Sequence, residues 1–251
     1  MSTPQQLLPG KRVIPCFHSA LPSTWTVVGD GAGLYAAAGG ETIEIHSTDN
    51  TKDLLAGTGA RVVKVLVLLD DGTTKVLSGN LNGTGAVALV PDTNVIAVLD
   101  AWVSSYGSDE TNAGTITIRK ETAGGDRLKI PVGRKRAAPG QFKVPPGFRF
   151  MLQGAHLGFT NNAASGPLTA EAEIEAQVNP EDGSFMPAFT RVGPPAAATF
   201  NRPLRFEWPL EEAIPAGAWI RMRAQMVAAN IAAGAFWGRL ERIATPEEGG
   251  N

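Results

Sequence analysis

The sequence predicts an all-β fold, two jelly-roll-like β-sandwich halves behind an extended N-terminal arm, and three observations carry that expectation. Turn formers are abundant, 29 Gly and 18 Pro, yet 43% of the 251 residues are hydrophobic, so frequent reversals coexist with enough apolar material for a core. Apolar residues recur at period two, the spacing of a half-buried strand. The apolar stretches are short and end at Asp-Gly, Asn-Gly or proline breaks.

Taken in order, residues 1–24 contain Pro4, Pro9, Pro15 and Pro22. Proline removes a backbone donor and fixes φ, so this stretch is expected as an extended arm. Its apolar Val13, Ile14 and Phe17 then need a surface on this subunit or a neighbouring one, worth on the order of 1.5–3 kcal/mol each. On that basis a chain lacking residues 1–24 is expected to fold but not to stay on its assembly. The first half spans 25–133. Glu41–His46 alternates with Ile43 and Ile45 inward and Glu44 and His46 outward. Arg61–Leu69 and Thr73–Leu77 read as a hairpin around Asp70-Asp71-Gly72. Val87–Val90, Val95–Val103 and Thr115–Arg119 add strands, Pro91-Asp92 separating the first two.

Arg134–Gly140, charged and then Pro139-Gly140, is expected as an exposed linker open to proteolysis between independently folding halves. The second half spans 141–245 and leaves a flexible tail at 246–251. Gln141–Val144 and Phe148–Phe159 flank a Pro-Pro-Gly turn. Leu168–Val178 alternates, with Ala170, Ala172, Ile174, Ala176 and Val178 on one face and Glu171, Glu173, Glu175 and Gln177 on the other. Three glutamates on one face repel one another, so that face is expected to be solvated or to meet a basic partner. Leu204–Trp208, Trp219–Met226 and Ala235–Ile243 complete the set, and Trp102, Trp208, Trp219 and Trp237 are expected in the core.

Charge is nearly balanced, 22 basic against 24 acidic residues, which argues against nonspecific DNA binding. Cys16 is the single cysteine, so neither an intrachain disulfide nor a cysteine metal cluster can form. No apolar stretch approaches the roughly 20 residues that span a bilayer, and Met1–Pro9 does not read as a secretory signal. A soluble chain made in a cytoplasm is the expectation.

Residues that could carry chemistry are scattered. His18, His46 and His156 lack metal-ligand spacing. His46-Ser47-Thr48-Asp49 has the letters of a hydrolase triad, but neighbours on one strand cannot form the relay, and an Asx turn explains the aspartate. Gly29-Asp30-Gly31-Ala32-Gly33 lacks the Gly-Lys-Ser/Thr ending of a phosphate loop. Glu171 with Glu173, or Glu211 with Glu212, does not point to the opposed walls of a glycosidase cleft. Asp70, Asp71, Asp92 and Asp109 lie where turns favour aspartate without calcium. The expectation is no enzyme, no cofactor and no metal. Arg134-Lys135-Arg136 is the one concentrated charge, and with Val13, Ile14 and Phe17 it supplies the candidate protein contacts.

Gly57-Thr58-Gly59-Ala60-Arg61, the β-type run Val62–Leu69, Leu81-Asn82-Gly83-Thr84 and Asn112-Ala113-Gly114-Thr115-Ile116-Thr117-Ile118-Arg119 together resemble a pattern in tailed-bacteriophage virion proteins. Val144-Pro145-Pro146-Gly147-Phe148 and Phe236-Trp237-Gly238-Arg239-Leu240 extend it over about residues 40 to 243. The resemblance implies a virion location. With the arm, it leads to the expectation of a capsid-bound decoration or minor head protein that stabilises the particle through subunit contacts. Its expected partners are the major capsid protein or other virion proteins and further copies of itself, a trimer above other states, with no membrane and no specific nucleic acid. A tail protein binding host glycans, or a cellular carbohydrate-binding module, would be built from the same strands.

Overall fold

The computed structural model describes residues 9–31, 40–90, 94–160, 170–177, 185–192, 204–226 and 230–243, and every regular element among them is a strand. These are β1 (Gly10–Leu21), β2 (Thr26–Val27), β3 (Ile43–Ser47), β4 (Ala60–Leu69), β5 (Thr74–Asn80), β6 (Val87–Ala88), β7 (Val95–Tyr106), β8 (Ile116–Lys120) and β9 (Asp126–Ile130). Then come β10 (Gln141–Lys143), β11 (Phe148–Thr160), β12 (Ala170–Gln177), β13 (Phe185–Val192), β14 (Leu204–Ile214), β15 (Trp219–Met226) and β16 (Asn230–Arg242). Residues 1–8, Ala32-Gly33, Pro91-Asp92 and the tail at 246–251 lie outside the described residues.

Four antiparallel sheets form two pairs. The first pair joins β6-β3-β8-β9 to β5-β4-β7. Between them lie Ile43 and Ile45 of β3, Ile116 and Ile118 of β8, Val63, Val65 and Val67 of β4, and Ala101 and Val103 of β7. The Asp70-Asp71-Gly72 hairpin forms as read. Asp71 Oδ1 accepts from Thr73 N (2.8 Å) and Thr73 Oγ1 (2.7 Å), and Gly72 takes the positive φ (79°) that the reversal needs. The second pair joins β1-β16-β11-β14 to β10-β15-β12-β13, with β2 also on β15. Its core holds Ile14, Phe150, Leu157, Phe236, Ile174, Ile220 and Met222. Leu68, Ala97 and Leu99 belong to this second core although they lie on β4 and β7. The near-continuous apolar run of β4 follows from that: it has buried neighbours on both faces.

Of the two surfaces expected for the N-terminal arm, the arrangement gives it the one on its own subunit. Residues 10–21 are an edge strand of the second pair, in register with β16 from Gly10↔Leu240 to His18↔Ala232. Pro15 is compatible with that place because an edge strand leaves one row of backbone groups outside the ladder. Ile14, Cys16 and Leu21 are buried in the chain's own core, and burial pushes the Cys16 thiol pKa up. Removing residues 1–24 therefore strips out a core strand, and the expectation that the remainder folds normally does not stand.

The expected linker is exposed at Lys135 and Arg136 but not beyond them. Ala137 and Ala138 are 2% exposed, and the segment bonds to both pairs of sheets. Val103 N donates to Lys135 O (3.0 Å) and Ala137 N to Ala101 O (2.9 Å) on one side. On the other, Gly140 N donates to Pro15 O and Met222 N to Gly140 O, both 3.0 Å. Arg134 Nη1 bonds Asp30 Oδ2 (3.1 Å), which also accepts from Ala138 N (2.6 Å), and Arg136 Nη2 bonds Asp100. A protease needs several residues of free backbone, so native trypsin is expected to leave Arg134, Lys135 and Arg136 uncut until global unfolding. Timed digestion with mass spectrometry checks this; early accumulation of two fragments joined at 134–136 would contradict it.

Candidate functional site

The segments that carry the phage-like pattern converge on one residue that sequence reasoning passed over. Asp53 is fully buried. Its Oδ1 accepts from Ala60 N (2.9 Å) and Ala113 N (3.0 Å), its Oδ2 from Ser47 Oγ (2.6 Å) and Gly114 N (2.8 Å). Its backbone carbonyl accepts from Gly83 N (2.9 Å), and Lys52 O from Gly59 N (2.9 Å). The glycines of the pattern are required by this crowding. A Cβ on Gly59 would lie 2.4 Å from Asp53 Oδ1, and one on Gly57 only 2.0 Å from Lys52 O. The four hydrogen bonds occupy roughly the four lone-pair sites a carboxylate offers, so Asp53 acts as a structural clasp rather than a base. The available signal was the density of glycine in three separate turns.

Above the clasp, residues 48–58 and 107–111 form a tip. Leu55 is 55% exposed there. Lys52 Nζ (3.1 Å) and Thr58 Oγ1 (3.0 Å) both bond Asp109 Oδ2 and hold that carboxyl below its ordinary range. Asp49 Oδ1 accepts from Thr51 N (2.9 Å) and Lys52 N (2.6 Å), the Asx turn read from the sequence. Ser47 Oγ is committed to Asp53, and His46 Nδ1 lies 3.4 Å from Ser47 O, so His46, Ser47 and Asp49 form no relay.

The glutamate face of β12 has its basic partner inside the chain, which corrects the solvated alternative. Arg221 Nε donates to Glu175 Oε2 (2.6 Å), while Arg223 bonds Glu175, lies 3.3 Å from Glu173 Oε1 and stacks over the Trp25 ring at 5.7 Å. Burial and the neighbouring Glu175 charge push Glu173 up. Burial also raises Glu175, but the hydrogen bonds from Arg221 and Arg223 outweigh it and leave that carboxyl below its ordinary range. The two contributions to stability have opposite signs. A raised folded pKa favours the protonated fold, so acidification from neutrality towards the unfolded value near 4.5 adds stability through Glu173. A lowered folded pKa removes stability as pH falls from about 4.5 through the Glu175 value. Urea midpoints against pH are expected to show the early gain vanish in Glu173→Gln and the later loss shrink in Glu175→Gln.

The structure separates the contact residues expected from sequence. Phe17 and Arg134 meet, the guanidinium 4.2 Å from the ring centroid. Lys135 Nζ lies 5.4 Å from the Tyr106 ring, and Arg136 is tied to Asp100. Ile14 is spent on the core, whereas Val13 is 58% exposed. Val13 shares the outer face of its sheet with Trp237, its register partner, and with His156, whose ring is 5.8 Å from that of Trp237. Trp237 is thus half-buried on an outer face rather than in the core, while Trp219 is buried as expected. Among the described residues no group of three or more His, Cys, Asp or Glu side chains is gathered as a metal ion would need.

No family model matches the chain, and no curated protein matches it. A solved structure titled "Structure of infectious bursal disease virus Gt strain" aligns with 94% of this chain and 73% of its own, at 13% identity and TM-score 0.20. A second, titled "The 2.6A structure of Infectious Bursal Virus Derived T=1 Particles", aligns with 95% and 75%, at 14% identity and TM-score 0.18. Scores this low do not establish a shared fold.

Proposed function

We propose that this chain is a structural component of a bacteriophage virion, a capsid-bound decoration or minor head protein that acts through contacts and catalyses nothing. The observation that carries the reading is strand order. Counted one to eight, β1 and β10–β16 lie in the orders 1-8-3-6 and 2-7-4-5, which supports a jelly roll of two interlocked Greek keys, an architecture of viral capsid domains. The first pair approaches the same order with seven strands. If β3 to β8 keep their numbers and β9 counts as one, its sheets run 6-3-8-1 and 5-4-7. Among the described residues strand two has no counterpart, and residues 135–137 bond to β7 at the edge where it would pair. Lectins and cupins share the architecture, so strand order supports the fold and the phage-like segments around Asp53 supply the step to a virion.

The partners under this reading are the major capsid protein or other virion proteins, together with further copies of the chain, a trimer being the state first tested. Purified particles digested and counted by mass spectrometry are expected to contain the chain at a fixed copy number relative to the major capsid protein. Its absence from washed particles would overturn the reading. Binding of the free chain to host glycans, with copies confined to tails, would favour an adsorption protein instead.

A further inference from the structure

We propose that the tip around Leu55 of one copy seats on the outer face of the β1-β16-β11-β14 sheet of the next, a head-to-tail contact that deepens, and rests on, the assembly reading above. The receiving face has an apolar centre of Val13, Met151 and Trp237. Register places these side by side, since Val13 is opposite Trp237, and Met151 is opposite Arg239, two residues along the same strand. Its rim is basic. Arg149 and Arg239 have half-exposed side chains and share one acid, Glu241, at 2.8 Å from Arg149 Nη2. Lys11 is exposed beside Arg239, and further along the strand Arg134, paired with Asp30, covers Phe17. Tryptophan, methionine and arginine around an apolar centre are the residue types that dominate protein contacts.

Charge identifies the occupant. Residues 40–133 hold eight lysines and arginines against twelve aspartates and glutamates, a balance of −4, while the remaining residues hold fourteen against twelve, +2. Part of that excess lies on the tip. Leu55 stands out of it at 55% exposure, with Asp49, Asp109 and the exposed Glu110 set against Lys52, which pairs with Asp109, and Arg61, whose Nε donates to Gly57 O (2.8 Å). An apolar knob with an acidic rim thus complements an apolar patch with a basic rim on the same molecule. The Asp53 clasp holds the knob in one geometry, which lowers the ordering cost of docking. Because the two surfaces differ, the contact is heterologous and generates a ring if the rotation closes or a chain if it does not.

The test uses the full chain in sedimentation velocity across concentration and salt. Wild type is expected to self-associate, more weakly as salt screens the charges. Val13→Asp on the face and Leu55→Lys on the tip are each expected to weaken association at least about tenfold. Both sites are exposed, and circular dichroism melts establish that the variants are folded. Mixing the two variants is expected to restore a one-to-one pair, because the unaltered tip of the Val13→Asp chain meets the unaltered face of the Leu55→Lys chain. A wild type that stays monomeric at about 100 μM, an unchanged association in either folded variant, or a mixture that forms no pair would overturn the proposal. Particle copy counts keep the two readings apart. A chain present in particles but monomeric alone sinks this contact and leaves the virion role standing; self-association of a chain absent from particles does the reverse.

Discussion

Asp53→Ala is expected to cost about 3–5 kcal/mol, the largest effect of any single polar substitution in the first pair of sheets. The change leaves Ser47 Oγ and the amides of Ala60, Ala113 and Gly114 buried without their acceptor. Each such donor costs about 1–3 kcal/mol, partly offset because a buried charge is removed with them. In a chain of this size that corresponds to a fall in melting temperature of roughly 6–20 °C. Asp53→Asn retains the shape and one oxygen but turns an NH2 towards two donors, so about half the loss is expected. Calorimetry on both variants checks the order. A drop below about 1 kcal/mol for alanine would mean that the three turns hold together without the carboxylate.

Gly140→Ala is expected to cost about 2–4 kcal/mol for a different reason, the crossing of two backbones. Gly140 has a φ of 64°, and a Cβ there would lie 2.3 Å from Val28 O and 2.7 Å from the Cα of Gly29. Nothing at that crossing is a flexible side chain that could rotate away. Left-handed backbone contributes about 1 kcal/mol and forced separation of packed segments about 1–3 kcal/mol. Gly133→Ala is the control, since its φ is 75° but a Cβ meets nothing within 4 Å. It is expected to lose about 1 kcal/mol only. Urea unfolding of the pair separates conformational strain from close approach. The alanine at 140 is also expected to make Arg134–Arg136 newly sensitive to trypsin.

Strands were legible in this sequence because period two is a local property, and partners were not because pairing is remote. Glu44 illustrates the division. Alternation put it opposite Ile43 and Ile45, yet it is only 6% exposed because Arg119, its register partner 75 residues away, donates to it at 2.6 Å. Glu41 is taken up similarly by Arg127 (2.5 Å). The Arg134–Arg136 run read as a linker because sequence shows its charge, which is exposed at Lys135 and Arg136, but not the Asp30 and Asp100 that Arg134 and Arg136 meet. Asp53 was invisible for the same reason. Its neighbours Lys52 and Leu54 form no motif, and its donors come from positions 47, 60, 113 and 114. The glycines that crowd it were noticed as a pattern, but their reason is a three-dimensional one.

The pairing of β1 with β16 has a consequence for the order in which a ribosome can finish this molecule. β1 is made early, but the strand it must lie against is among the last described residues, with Gly10 opposite Leu240. Residues 43–130 contain all of β3 to β9 and can condense while later codons are still being read. Through that interval Ile14, Cys16 and Leu21 have no sheet to enter. At about 5–20 residues per second, the wait between β1 and β16 lasts on the order of ten to fifty seconds. Closing so long a loop is slow compared with forming a hairpin. The nascent chain therefore carries an unpaired, partly apolar strand until its second half is complete, and Pro15 and the basic Lys11-Arg12 within it are residues of the kind that keep such an edge from pairing with a neighbour.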